Sequence, residues 1–264
     1  MSFLKTPEQI ARMREAGLIV WEAHQVAADM VMPGITTAEI EAAVDTFITL
    51  NNATALFKGV PGKVPFPAAT CISVNEEIVH RMPGKRVLKE GDIVSLDIGV
   101  RLNGWCGDAA VTRPVGVISS EKRKLLDITE GALRLAIELM PRCQYWSQVA
   151  KEMADYVRKA GFSVVEELAG HGIGADLWES LHVPNYSNRE YEKNQDFRLE
   201  PGVVIAVEPM VNVGKRSIKT LRDHWTIVTT DGKPSAHFEH TLALTRDGVQ
   251  VLTASPNGHG WAID

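Results

Sequence analysis

The chain has 264 residues, of which 45% are hydrophobic and 23% charged, a balance that fits one globular body with a large core and excludes a disordered or fibrous chain. No apolar run approaches the roughly 20 residues needed to span a bilayer, and a net charge of −5 lacks the basic excess of a primary nucleic-acid binder. The three cysteines, Cys71, Cys106 and Cys143, include no Cys-x-x-Cys pair, so neither a disulfide framework nor a thiolate zinc site is implied.

The opening segment Met1-Ser2-Phe3-Leu4-Lys5 has no apolar signal core. With the odd cysteine count it points to a reducing cytoplasm, where the Asn185-Tyr186-Ser187 sequon has no role. Thr6 with Gln9 and Thr36 with Glu39 form capping boxes, and Pro7 takes a first helical position. Ile10, Met13, Gly17, Val20 and Ala27 then line one helical face, and Ile40, Val44 and Phe47 line the next. Two extended runs follow, Ile93–Leu102 and Trp105–Pro114, joined at Asn103-Gly104, the strongest short hairpin signal. Two further helices follow Ser120 and Ser147. Leu125, Ile128, Ala132 and Leu135 form the stripe of the first, Lys122-Arg123-Lys124 reads as its wet face, and Gly161 stops the second.

Met32-Pro33 and Met140-Pro141 each fall between a first and a second helix, so the order of two helices followed by strands repeats. No low-complexity linker separates the halves. This predicts a single α+β domain over 1–264, pseudo-symmetric, whose strands curve around a central site with helices outside.

The hairpin places two carboxylates. If Asn103 and Gly104 are the loop, Leu102 faces Trp105, Asp97 lies opposite Ala110, and Gly99 lies opposite Asp108. Side chains alternate with a period of two, so Asp97 and Asp108 share one face as diagonal neighbours, roughly 7–8 Å apart at Cα. Such a pair is either solvated, or buried against a counter-charge or metal; the hairpin alone leaves both readings open. His171 sits in Gly170-His171-Gly172-Ile173-Gly174, whose glycines let the backbone bend sharply and approach a ligand closely. This segment lacks the spacing and the lysine of a phosphate loop. Glu208 ends the apolar run Val203–Val207 and precedes Pro209, while Glu239 precedes His240-Thr241 and the run Leu242-Ala243-Leu244.

Taken in this order, Asp97, Asp108, the Gly-His-Gly-Ile-Gly segment, Glu208-Pro209-Met210 and Phe238-Glu239-His240-Thr241 resemble the type I methionine aminopeptidases, metallopeptidases of the pita-bread (creatinase/aminopeptidase) fold. The resemblance runs from Thr6-Pro7-Glu8 through Asn75-Glu76 and Gly91-Asp92 to the strand near Leu252. It implies two divalent ions, with Asp108 and Glu239 bridging both, Asp97 chelating one, and His171 with Glu208 completing the other. Four carboxylates and a neutral imidazole carry about four negative charges, which two divalent ions neutralise. One imidazole among oxygens tilts the choice toward Co, Mn, Fe or Zn rather than Ca. Paired ions activate water and clamp a developing oxyanion, as is general for two-metal aminopeptidases. Glu208 would take the proton from the attacking water and return it to the leaving amine.

The resemblance also implies that His80 contacts the scissile peptide and that Phe66, Cys71 and Trp225 wall a pocket for an unbranched thioether side chain. The implied activity is removal of the N-terminal methionine from nascent proteins and peptides, preferring a small second residue. The implied setting is a cytoplasmic monomer meeting nascent N-termini at the ribosome, with no specific nucleic-acid or membrane partner.

Two positions depart from the family pattern. Seven residues after His171, where the family places a second substrate-contacting histidine, stands Trp178. His182, in Leu181-His182-Val183-Pro184, takes that role only with an insertion of about four residues in the loop. Leu168 stands where the family commonly has an aromatic residue. One alternative is an Xaa-Pro aminopeptidase or prolidase-like peptidase, which shares the fold and ligand set but carries a large N-terminal domain. Only 96 residues precede Asp97, and His240 follows Glu239 where the proline-specific relatives have Asp. The other alternative is a catalytically altered paralogue acting as a binding module. Such relatives have lost ligands, whereas all five are present here.

Overall fold

The structure is a computed structural model that describes residues 3–258. Met1 and Ser2 of the opening segment, and positions 259–264 of the expected domain, lie outside the described residues. The chain begins with helices α1 (Pro7–Met30) and α2 (Thr37–Leu50). These lead into β1 (Thr54–Ala55), β2 (Thr70–Val74), β3 (Glu77–Val79), β4 (Ile93–Leu102) and β5 (Trp105–Pro114). The pattern then repeats with α3 (Ser120–Leu139) and α4 (Trp146–Lys159), followed by β6 (Ser163–Val164), β7 (Ala169–Gly172) and β8 (Glu179–Pro184). A short α5 (Arg189–Asn194) precedes β9 (Val204–Val207), β10 (Met210–Asn212), β11 (Ile218–Thr220) and β12 (Ile227–Thr229). The described elements end with β13 (Ser235–His237), β14 (His240–Thr245) and β15 (Gly248–Val251).

Both expected capping boxes close. The Gln9 N–H donates to Thr6 Oγ1 at 3.3 Å, and the Thr6 N–H donates to Gln9 Oε1 at 2.9 Å. Thr36 N–H and Glu39 Oε2 pair likewise at 2.8 Å. Each cap satisfies helix-end donors and contributes about 1 kcal/mol. The buried face of α1 contains all five expected residues and adds Ala16, Ala23 and His24. On α2 the buried row is Ile40, Val44 and Ile48, with the expected Phe47 half-buried at its edge. The caps of α3 and α4 lie earlier than expected. Ser119 accepts from Lys122 N–H, and α4 starts at Trp146, so Ser147 is inside its first turn with its N–H held by Asp196 Oδ1 at 3.0 Å. Leu125, Leu126, Thr129, Ala132, Leu133 and Ala136 bury the inner face of α3, flanked by Ile128 and Leu135. Nor is the basic cluster simply wet: Lys122 Nζ donates to Asn75 Oδ1 at 2.8 Å and to the Gly91 carbonyl at 2.6 Å.

All strand pairings between named strands are antiparallel. The β4–β5 hairpin has the expected register, Leu102 to Trp105, Asp97 to Ala110 and Gly99 to Asp108. Asn103 and Gly104 have φ of 50° and 82°, as a tight primed turn requires. β2 lies on the other side of β4, with Cys71 opposite Asp97. In the second half the order is β15-β14-β9-β7-β8. Threonine hydroxyls join the two halves. Thr241 Oγ1 donates to the Asp108 carbonyl at 2.8 Å and accepts from the Asp108 N–H at 3.0 Å. Thr112 Oγ1 does the same for the backbone of His237, both at 2.8 Å. The Glu239 N–H donates to the Ala110 carbonyl at 2.8 Å, so β5 lies directly against the segment that carries Glu239. No helix among the described residues is long and apolar enough to cross a membrane.

Candidate metal centre

Each acidic side chain is delivered by the end or middle of a strand in this stitched region. Asp97 and Asp108 project from one face of the β4–β5 hairpin, Glu208 directly follows β9, and Glu239 directly precedes β14. The pairing of β9 with β14 sets His240 opposite Val207, which brings the two glutamates to adjacent strand ends. His171 lies on β7, beside β9. A Cβ on Gly170 would lie 2.2 Å from the Ala206 carbonyl oxygen. Glycine there serves the close approach of two strands, and none of the three glycines has a left-handed φ. The His171 ring therefore sits at the irregularity where the register of β7 against β8 shifts, between His171 and Gly172, reached without a left-handed residue.

The imidazole of His171 is oriented for coordination. Its Nδ1 lies 3.0 Å from the Gly172 carbonyl, a geometry that assigns the proton to Nδ1 and leaves the Nε2 lone pair free. That Nε2 is 3.9 Å from Asp108 Oδ2 and 3.8 Å from Glu208 Oε1. Such separations are too long for hydrogen bonds and fit donors that share an ion. Asp108, His171 and Glu239 offer ligand atoms all within 4.8 Å of one another.

Charge makes the same demand. Burial pushes the carboxyls of Asp97, Glu208 and Glu239 well above the usual range, and neighbouring carboxylates push them further; Asp108 rises to about 7, chiefly through burial. Asp97 Oδ1 and Asp108 Oδ1 are buried and receive no hydrogen bond from any of the described residues. Buried carboxylate oxygens without donors require a cation or a proton. The donor set, oxygens with imidazole nitrogen, fits a divalent transition metal.

These side chains floor a cavity of about 300 Å³. Its lining includes all five, together with Phe66, Cys71, His80 and Trp225. Cys71 is there because it faces Asp97 across the β2–β4 ladder. Burial and the acidic neighbours raise its thiol pKa well above the usual value. Trp225 meets Phe66 edge-on at 5.2 Å and His80 at 6.5 Å between ring centroids. Burial lowers the His80 pKa to about 4, so its imidazole is neutral at pH 7. Leu168 and Met210 also belong to the apolar wall, with Phe57, Val60 and Val79.

His182 is placed differently from the expectation. It pairs with His171 across β7 and β8, but it is exposed, its ring faces Tyr191 at 6.0 Å, and it is absent from the cavity lining. Trp178 lines the cavity instead, its ring 6.4 Å edge-on from His171. Position 178 thus reaches the site without the expected insertion.

Two residues near the site escaped the sequence reading. Asn185, buried, donates from Nδ2 to the Glu208 carbonyl at 3.0 Å and holds that strand end in place. His237 is buried beside Glu208 and Glu239, and burial lowers its pKa to about 3.

Antiparallel sheets backed by helices, with an acidic, imidazole-bearing cluster at the floor of one cavity, define a metal-binding hydrolase of the aminopeptidase fold class. The sequence profile of Metallopeptidase family M24 matches residues 11–246. Methionine aminopeptidase 1 of Bacillus subtilis is 46% identical over 253 residues, covering 96% of this chain and 99% of that protein. The crystal structure of methionine aminopeptidase from Thermotoga maritima aligns with a TM-score of 0.89 at 37% identity, covering 96% of this chain and 99% of that one. An Xaa-Pro dipeptidase from Bacillus anthracis, at 21% identity, shares the fold with a TM-score of 0.74 over 96% of this chain but only 62% of its own. The chain belongs to metallopeptidase family M24, within its type I methionine aminopeptidase branch, and has the pita-bread fold.

Proposed function

We propose that this chain removes the N-terminal methionine from peptides and nascent proteins whose second residue is small. The observation that carries the reading is the convergence of Asp97, Asp108, His171, Glu208 and Glu239 on one cavity walled by Phe66, Cys71 and Trp225. Asp108 and Glu239 are central in the cluster and would be shared by two divalent ions (Co, Mn, Fe or Zn), with Asp97 on one side and His171 with Glu208 on the other. When bound, the ions supply Lewis-acid polarisation of the scissile carbonyl and make water acidic enough to attack at neutral pH.

The protein's own groups do the rest. Glu208, its backbone fixed by Asn185, accepts the proton of the attacking water and passes it to the leaving amine. His80, neutral at the cavity wall, holds the scissile amide by a hydrogen bond. The thioether side chain fills the apolar wall, where its burial stabilises the complex by about 1.5–3 kcal/mol and its sulfur meets aromatic edges. The reading extends to a single catalytic domain over 1–264, acting as a cytoplasmic monomer on nascent N-termini at the ribosome.

The test is hydrolysis of Met-Ala-Ser against Ala-Pro peptides with Mn, Fe, Co and Zn supplied in turn. Metal-dependent cleavage of Met-Ala-Ser is expected, and Glu208→Gln should lower kcat by about 10²–10⁴ while keeping the thermal midpoint. Preference for Ala-Pro would transfer the chain to the proline-specific reading. Absence of cleavage with every metal would favour a binding module.

A further inference from the structure

His237 closes β13 and is 1% exposed. Its backbone N–H and carbonyl are both engaged by Thr112 Oγ1, and β13 pairs it with Met210 of β10. The residue is therefore fixed, and its ring has no freedom to reach solvent. Neither ring nitrogen has a hydrogen-bond partner among the described residues. Nε2 points at the cluster, 3.8 Å from Glu208 Oε2 and 3.9 Å from Glu239 Oε2. Those separations repeat the ones His171 makes with Asp108 and Glu208, and Glu208, His237 and Glu239 offer ligand atoms all within 4.8 Å of one another.

A buried imidazole with both nitrogens unmet is unfavourable unless something supplies the missing interaction. The facing groups are carboxylate oxygens too distant to accept a hydrogen bond, and on His171 the same spacing accompanies a lone pair aimed at the centre. We propose that Nε2 of His237 is a sixth protein donor to the metal centre, binding the ion held by Glu208 and Glu239. The centre then carries two imidazoles in place of one. Two nitrogen donors shift its preference from Mn toward Co and Zn. The proposal rests on reading the acidic cluster as a metal centre.

The experiment counts histidine nitrogens by pulsed EPR of the Mn(II)-loaded full chain with ¹⁵N-histidine labelling. It adds calorimetric titration of Co(II) and Mn(II) into metal-free wild type, His237→Gln and Asp108→Ala. Two coordinated imidazoles are expected in the wild type. Loss of His237 should weaken Co(II) binding at least about tenfold, and Mn(II) binding less. One coordinated imidazole in the wild type, or Co(II) affinity unchanged in a folded His237→Gln, overturns the proposal. If His237→Gln does not fold, the nitrogen count in the wild type decides alone. Asp108→Ala separates the two claims. Its loss of metal loading alongside an unaffected His237→Gln removes only the sixth donor, whereas wild-type loading of Asp108→Ala removes the metal-centre reading itself.

Discussion

Trp178 borders the cavity while 58% of its surface stays open, and it meets the His171 ring edge-on. An aromatic wall so exposed gains contact area when a peptide enters. Trp178→Ala should raise KM for Met-Ala-Ser about tenfold, equivalent to about 1.4 kcal/mol, with kcat little changed. His182→Ala should leave both within about twofold, because its ring lies against Tyr191 outside the cavity. The opposite order of effects would mean that His182 touches substrate. Asp97 and Asp108 were legible in the sequence because a two-residue turn fixes register and strand periodicity fixes the face. His237 was not, since Ala236 and Phe238 on either side make it resemble strand core. Its spacing of two from Glu239 was the available signal, for residues two apart on an extended segment share a face. Asn185 was hidden because its partner is a backbone carbonyl 23 positions away, which no local pattern encodes.

At the scale of elements, α1 depends on a close approach that only glycine permits. A Cβ on Gly17 would lie 2.0 Å from the Leu252 carbonyl oxygen, a backbone atom that cannot swing aside. Gly17→Ala should therefore destabilise by about 1–3 kcal/mol, despite the higher helix propensity of alanine, and chemical denaturation of the two forms would measure it. Equal or greater stability of the alanine form would show that α1 is free to shift. Helix starts read well where side chain and backbone cap reciprocally, as at Thr6 and Thr36. They read less well at α4, where Tyr145 precedes the helix and Gln148 Oε1 receives the N–H groups of Gln144 and Tyr145. The inner face of α2 follows Ile48 rather than Phe47, because α2 packs on α1 as well as on β1 and β2.

For the whole molecule, the repeated order of two helices and then strands made the two-part architecture legible. What joins the parts was not: Thr112 to His237 and Thr241 to Asp108 are contacts between residues 125 and 133 positions apart. The same stitching concentrates carboxylates whose folded pKa values are raised, Asp108 to about 7. A carboxyl raised on folding binds more protons in the native than in the unfolded state. Its contribution to stability is therefore present below the unfolded value near 4 and lost as pH rises toward about 7. A divalent ion must displace those protons, so the rise in thermal midpoint on adding Co(II) should be small near pH 5 and grow through pH 7. Scanning calorimetry with and without metal tests this, and a midpoint rise independent of pH would contradict it.

Whether the converging side chains hold divalent metal can be seen by anomalous diffraction at the cobalt edge from crystals of the Co(II)-loaded protein. Anomalous density enclosed by Asp97, Asp108, His171, Glu208 and Glu239 is the expected result. Density confined to surface sites, with that enclosure empty at saturating metal, would contradict it.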